Sequence, residues 1–322
     1  MRKVIAALTV LTTFCWSGLS YAQTWPTRSL TLIIPFAAGG ATDAIGRALA
    51  NRMSQGLGQP VIVVNRTGAA GAIGANAVAK ATPDGYTILM ATTSTHAILP
   101  LTQDKLEYNP ITDFAEIGLV AIAPNILIVS PKVSANSVTE LIAFAKQNPG
   151  KINFASSGQG TITHLIGELF VMEAGIQAVH VPYKSGVQSF TDLSDGRVQF
   201  LFDSIVWSLP QIRAGKLKGL GITSAKRSQL APEMPTIAES GLPNFEGSTW
   251  FGLSAPARTP EPVLARLQKE LKAALEDKEL AKRLAVLGAE PAYMSGSDFA
   301  KMIGEDTEKW RSVISRAGVK MQ

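Results

Sequence analysis

Leu30-Thr31-Leu32-Ile33-Ile34-Pro35 leads directly into Phe36-Ala37-Ala38-Gly39-Gly40-Ala41-Thr42-Asp43. The first run is apolar and rich in β-branched residues, which suits a buried strand. The second is a small-residue loop. A helix follows from near Thr42, with Ile45, Leu49 and Met53 on one face at i, i+4 spacing, and ends at Gly56 or Gly58. Glycines in such a loop let backbone amides approach a ligand closely, and the helix N-terminus offers unpaired N–H groups and a positive dipole end to an anion. A plain strand-to-helix turn has the same appearance, so the segment needs a second one beside it.

Ala155-Ser156-Ser157-Gly158-Gln159-Gly160-Thr161 supplies it. It leads into a helix carrying Leu165, Leu169 and Met172 and ending at Gly175. Thr161 is a natural N-cap, and its hydroxyl is available to cap the helix, to touch a ligand, or for both. His164, one turn on, either lines a cleft or is a structural histidine. Neither loop contains Lys or Arg, so oriented N–H and O–H donors must replace the hydration of any bound anion. Two such cradles far apart in sequence fit two lobes closing on one acidic ligand.

The rest of the chain alternates short β-rich runs with amphipathic helices, which predicts an α/β fold with parallel sheets covered on both faces. Strands are expected at Val61–Asn65, Tyr86–Thr92, Ile126–Ser130, Ile152–Ala155, Ala178–Pro182, Gln199–Phe202, Leu217–Thr223 and Thr249–Ala255. Ser137 and Glu140 form a capping box. The last long helical region starts at Thr259-Pro260, carries Leu264, Leu267, Leu271 and Leu275, and stops by Gly288. No repeat or linker separates two lobes, so the chain must cross between them more than once, near Asn125 and Ser224. The expected division is a leader at 1–22, one lobe from 23–125 and 226–322, and the other from 126–225.

The leader is read from Arg2 and Lys3, the apolar stretch Val4 to Leu19, and the small residues of Ser20-Tyr21-Ala22, a secretory pattern with cleavage after Ala22. Cleavage removes Cys15, the only cysteine, and with it disulfides, thiol catalysis and thiolate metal ligation. It leaves 28 basic against 25 acidic residues, a net charge of +3 with no basic run of the kind that suits nucleic acid. Gly68, Gly71 and Gly74 are spaced G-x-x-G-x-x-G rather than G-x-G-x-x-G, and no acid ends the next strand, so they read as a tight turn with close helix packing. His96, His164 and His180 form no metal-ligand pair. The loops offer hydroxyls without an evident base, which argues against an enzyme. Asp43 and Asp203 stand at helix starts, where an acid commonly satisfies amide donors; binding a ligand amine is the sharper alternative.

The chain resembles the extracytoplasmic solute receptors of tripartite tricarboxylate transporters, the Bug family. The resemblance spans PFAAGGATD at 35–43, NRTGAAGAIGANAVAKATPDGYTIL at 65–89, STHAI at 94–98 and SVTELIAFAKQNPGKINFASSGQGT at 137–161. It continues through HVPYK at 180–184, FDS at 202–204, AGKLKGLGITSAKRS at 214–228, MPTIAESGLPNFE at 234–246 and WFGLSAPARTP at 250–260. It implies a two-lobed type II periplasmic binding fold, each lobe a mainly parallel sheet flanked by helices, closing on a small carboxylate held by amides, hydroxyls and waters. Carried over by position, the site comprises Phe36, Ala38, Gly39, Gly40, Thr42 and Asp43, then Ser94, then Ser157, Gly158, Gly160 and Thr161 with His164, and Asp203. The implied setting is a periplasmic monomer without cofactor or metal that serves integral-membrane transporter subunits. A ligand sensor or an enzyme on a similar fold are the alternatives. Dicarboxylates, tricarboxylates, acidic amino acids and aromatic acids such as terephthalate or nicotinate are the candidate ligands. Ser185-Gly186 reverses the order usual in the family and Gln188 replaces a proline, which puts that loop's contacts in question. Trp207 either packs or places an aromatic wall beside the cleft.

Overall fold

The computed structural model describes residues 25–317; the expected leader, with Cys15 and the cleavage point after Ala22, lies outside the described residues. The opening unit forms as its pattern requires: β1 (Leu30–Ile34), then α1 (Ala41–Leu57), which ends where Gly58 takes a left-handed conformation. Ile45, Leu49 and Met53 are buried, each contributing about 1.5–3 kcal/mol relative to exposure. β2 (Val61–Asn65), α2 (Ala72–Ala79) and β3 (Thr87–Thr92) follow. After β3 the chain turns through a single wide helical turn at Ser94–Ile98 and a short helix α3 (Leu99–Thr102).

β4 (Phe114–Val129) is 16 residues long. Its first part pairs with β9 (Ser248–Pro256) and β10 (Glu290–Ser295). Its second part pairs with β7 (Phe200–Ser204) and β8 (Lys218–Ile222). One strand therefore serves two sheets, in the orders β2-β1-β3-β9-β4-β10 and, with β5 (Asn153–Ser156) and β6 (Val179–Pro182), β6-β5-β7-β4-β8. The junction is hydrogen-bonded at the return crossing: Thr223 N–H donates to the Asn125 carbonyl at 2.9 Å and Asn125 N–H donates to Thr223 Oγ1 at 2.8 Å.

The two-sheet α/β architecture accords with the sequence, but the sheets are mixed rather than mainly parallel. β1 pairs in parallel with β2 and β3, and β5 with β6 and β7, while every pairing of β4 and β9 is antiparallel. The cause is the crossing itself, since a strand shared by two lobes and its returning neighbour run against each lobe's own βαβ units. Four helices complete the second lobe and its edge: α4 (Val138–Gln147), α5 (Ile162–Ala174), α6 (Gly186–Ser194) and α7 (Ile205–Arg213). Ser137 Oγ accepts from Glu140 N–H at 3.1 Å as expected, whereas the Glu140 carboxylate takes the amide of Asn136, one residue earlier than a capping box. The long helical region after Pro260 divides into α8 (Glu261–Leu275) and α9 (Lys278–Leu287) because Asp277 caps a new start, accepting from the amides of Glu279 and Leu280. A further C-terminal helix, α10 (Gly296–Ala317), buries Phe299, Ile303 and Trp310. No helix among the described residues is long and apolar enough to cross a membrane.

Candidate functional site

The loop between β1 and α1 is held from behind. Gly39 N–H donates to Asp43 Oδ2 at 3.0 Å, Asn65 Nδ2 donates to Asp43 Oδ1 at 2.9 Å and to the Phe36 carbonyl at 3.0 Å, and Arg47 Nε donates to both Asp43 oxygens at 3.0 Å. Burial works against the Asp43 anion, but the Arg47, Gly39 and Asn65 hydrogen bonds outweigh it and hold the carboxyl below its ordinary value. Asp43 is thus a brace, 5% exposed, rather than a group presented to a ligand. Gly40, the N-cap of α1, supplies no side chain to its first-turn amides. The 68–74 segment does what close packing requires: a Cβ on Gly74 would meet Arg66 O at 2.7 Å and Pro35 Cα at 2.9 Å.

The second loop is built differently, with its donors already engaged. Ser157 N–H goes to Thr163 Oγ1 at 3.0 Å, Gly158 N–H to Ser156 Oγ at 3.1 Å, Gly160 N–H to His164 Nδ1 at 3.2 Å and Thr161 N–H to the Gly158 carbonyl at 3.2 Å. The Thr161 hydroxyl donates to Gly158 O at 2.6 Å and accepts from His164 N–H at 3.4 Å, as a cap. The amide of Ile162 donates across the cleft to Ser94 Oγ at 3.0 Å. His164 stacks on His180 at 3.8 Å between centroids, and His180 Nε2 lies 2.6 Å from Ser156 Oγ. Burial and the neighbouring His164 push His180 down to about 3, so it stays neutral in this frame.

Both loops face one cleft. Phe36, Gly40, Thr42, Ser94, Ser157, Thr161 and Asp203 line it, while Ala38, Gly39, Asp43, Gly158, Gly160 and His164 lie outside its lining. Trp207 lines it as well, on the same side as Asp203 and Ser204. The residues that sequence reasoning missed include Lys184, Ser185, Gly186 and Val187, at the start of α6, Asn125, Thr249 and Phe251 on the crossing strands, and Thr92, Ile162, Thr163 and Ser204 beside residues it named. The Tyr183-Lys184 pair is a motif of the sequence, but nothing local in Ser185-Gly186 shows that the helix start there faces the cleft. Ser185 caps α6 without a side-chain hydrogen bond. The uncapped helix starts in the cleft are therefore α1 and α6, one on each sheet, whereas α5 and α7 are capped by Thr161 and Ser204. First turns without a side-chain cap present amides and a positive dipole end toward each side of the cleft, a chemistry suited to an anion.

The sequence profile described as "Tripartite tricarboxylate transporter family receptor" matches residues 45–319. Protein BugT of Bordetella pertussis is 34% identical over 302 residues, 94% of this chain and 93% of its own length. A solved R. palustris protein with adipate superposes with a TM-score of 0.90 at 36% identity, covering 92% of this chain and all of that one. MatC from Rhodopseudomonas palustris with bound malate gives a TM-score of 0.85 at 31% identity, over 90% of this chain and all of that one. With the fold, the cleft and this similarity in agreement, the chain belongs to the tripartite tricarboxylate transporter receptor family, a family of periplasmic solute-binding receptors rather than enzymes.

Proposed function

We propose that this protein, exported by a leader cleaved after Ala22, captures a small organic carboxylate in the periplasm as a monomer and delivers it to the membrane subunits of a tripartite tricarboxylate-type transporter. One lobe comprises 23–125 and 226–322 and the other 126–225, with crossings at Asn125 and Thr223. The carrying observation is the pair of uncapped helix starts, α1 at Gly40 and α6 at Ser185, that face one cleft lined by donors. A ligand with two anionic ends can engage both at once, and Lys184 adds a cation on the α6 side. The adipate and malate bound by the similar proteins are dicarboxylates of this kind. Trp207, Phe251 and Phe36 favour a ligand with an apolar middle, an alkyl chain or a ring.

A thermal-shift and calorimetric panel of dicarboxylates, tricarboxylates, acidic amino acids and aromatic acids tests this, with neutral sugars and amines as controls. A true ligand at 100 times its dissociation constant stabilises the fold by about 2.7 kcal/mol. A panel in which no carboxylate shifts the transition, or in which sugars or amines do so instead, refutes the reading.

A further inference from the structure

The cleft holds one acid. Asp203 and Lys184 are the charged side chains among its lining residues. The other polar and aromatic groups of the lining, among them Asn125 from β4, Ser157 and Thr161 from the second loop and Trp207 from α7, are neutral. Asp43 stands outside the lining, occupied by Arg47 and Asn65. Asp203 Oδ1 accepts the amide of Ser204 at 2.8 Å, and among the described residues nothing donates to Oδ2. Oδ2 instead lies over Gly186, at the uncapped start of α6, so close that a Cβ on Gly186 would come within 1.8 Å of it. With the reversed Ser185-Gly186 order, a glycine stands where any side chain would have to push the Asp203 carboxyl out of this position. Burial pushes Asp203 up to about 7, with the Ser204 amide offsetting only part of the cost of the charge.

A ligand carboxylate seated on the first turn of α6 arrives beside this group. Two carboxylates at such range cannot both remain ionised cheaply, and a single proton between them relieves both. We propose that Asp203 holds a proton in the filled cleft and donates it in a hydrogen bond to the ligand's carboxylate, so that capture of the anion takes a proton from solution. No covalent bond is made or broken: the proton comes from the buffer, stays on the Asp203–ligand pair and leaves with the ligand. The opposite role, an ionised Asp203 binding a ligand ammonium, would put that cation against the positive start of α6. The inference rests on the reading of the cleft as a carboxylate site, and it makes Asp203 a residue that selects a carboxylate over an ammonium group at this end of the cleft and favours it at lower pH.

Calorimetry of the purified full chain with adipate and with malate, at pH 6 to 9 in buffers of different ionisation enthalpy, tests it. Above pH 7 the wild type should take up close to one proton per ligand, and its affinity should fall by about tenfold per pH unit. Asp203→Asn, whose amide donates in place of the carboxyl O–H, should bind with no proton uptake and with no slope in this range. A ligand-free readout runs alongside. A carboxyl raised in the fold contributes stability below about pH 4 that is lost as pH rises through about 7, so Asp203→Asn should gain in melting temperature over the wild type between pH 5 and 8. Binding of either acid without proton uptake, or an unchanged pH slope in Asp203→Asn, overturns this inference and leaves the carboxylate reading standing. Failure of the wild type to bind any carboxylate at any pH overturns both.

Discussion

Thr161 and Lys184 divide the work that the sequence alone would have given to one loop. The Thr161 hydroxyl spends its proton on the Gly158 carbonyl and its lone pair on the His164 amide, so it has no donor left for a ligand. Thr161→Val keeps the shape and loses the cap; the expected cost is about 1 kcal/mol of stability with affinity for dicarboxylates nearly unchanged. Chemical denaturation and titration on the same preparation decide it, and a large loss of affinity with an unmoved midpoint would return the carboxylate to Gly158–Thr161. Lys184 is exposed and can lend only a screened attraction. Lys184→Met should therefore weaken dicarboxylate binding by roughly two- to fivefold at low salt, with the difference vanishing near molar salt. A deficit that persists at high salt would mean that the side chain shapes the cleft rather than attracting the anion.

At the scale of elements, the legible parts were those whose chemistry is local. The β1–α1 unit, the α5 start and Val61–Asn65 follow from apolar spacing, glycine placement and capping residues within a few positions of one another. The first half of β4 was not legible, because its register is set by β9, more than a hundred residues away, and β10 carries Pro291 and no buried side chain. The site was legible at α1 and half-legible at α5, since a motif shows which residues can donate but not which donors the loop has already used. The turn after β3 hides another non-local pair. His96 is fully buried with Nε2 unpartnered, 3.7 Å from Glu116 on β4. Burial pushes His96 down to about 3 and Glu116 up to about 8, the latter partly offset by the Ser254 hydroxyl. A depressed histidine contributes stability that is present above about pH 6.5 and lost as pH falls through 3, whereas a raised carboxyl contributes stability that is lost as pH rises through 8. The two windows oppose each other. Glu116→Gln, which keeps a partner for Ser254, should flatten the decline in melting temperature between pH 5 and 9 and leave the acid limb below pH 6 in place; an unaltered alkaline decline would show that Glu116 is ionised in the fold.

For the whole molecule, the crossings at Asn125 and Thr223 make a two-strand joint, and the lobes meet again at the cleft through the bond from Ile162 N–H to Ser94 Oγ. Gly160 adds a close contact, since a Cβ there would meet Thr102 Oγ1 at 2.8 Å. Such an arrangement is expected to close as a hinge about the joint, with the Ser94 hydrogen bond as a latch that operates without ligand. One hydrogen bond of this kind is worth about 0.5–1.5 kcal/mol, so Ser94→Ala should move the closed-to-open ratio of the empty protein toward open by roughly two- to tenfold. Solution scattering should then find a larger radius of gyration for ligand-free Ser94→Ala than for the wild type. Saturation with a dicarboxylate should bring both to the same compact value, because an anion spanning the starts of α1 and α6 ties the lobes independently of the latch. Equal radii for the two empty proteins would show that Ser94 does not hold the lobes together, and a radius that ignores saturating ligand in both would show a preformed pocket in place of a hinge.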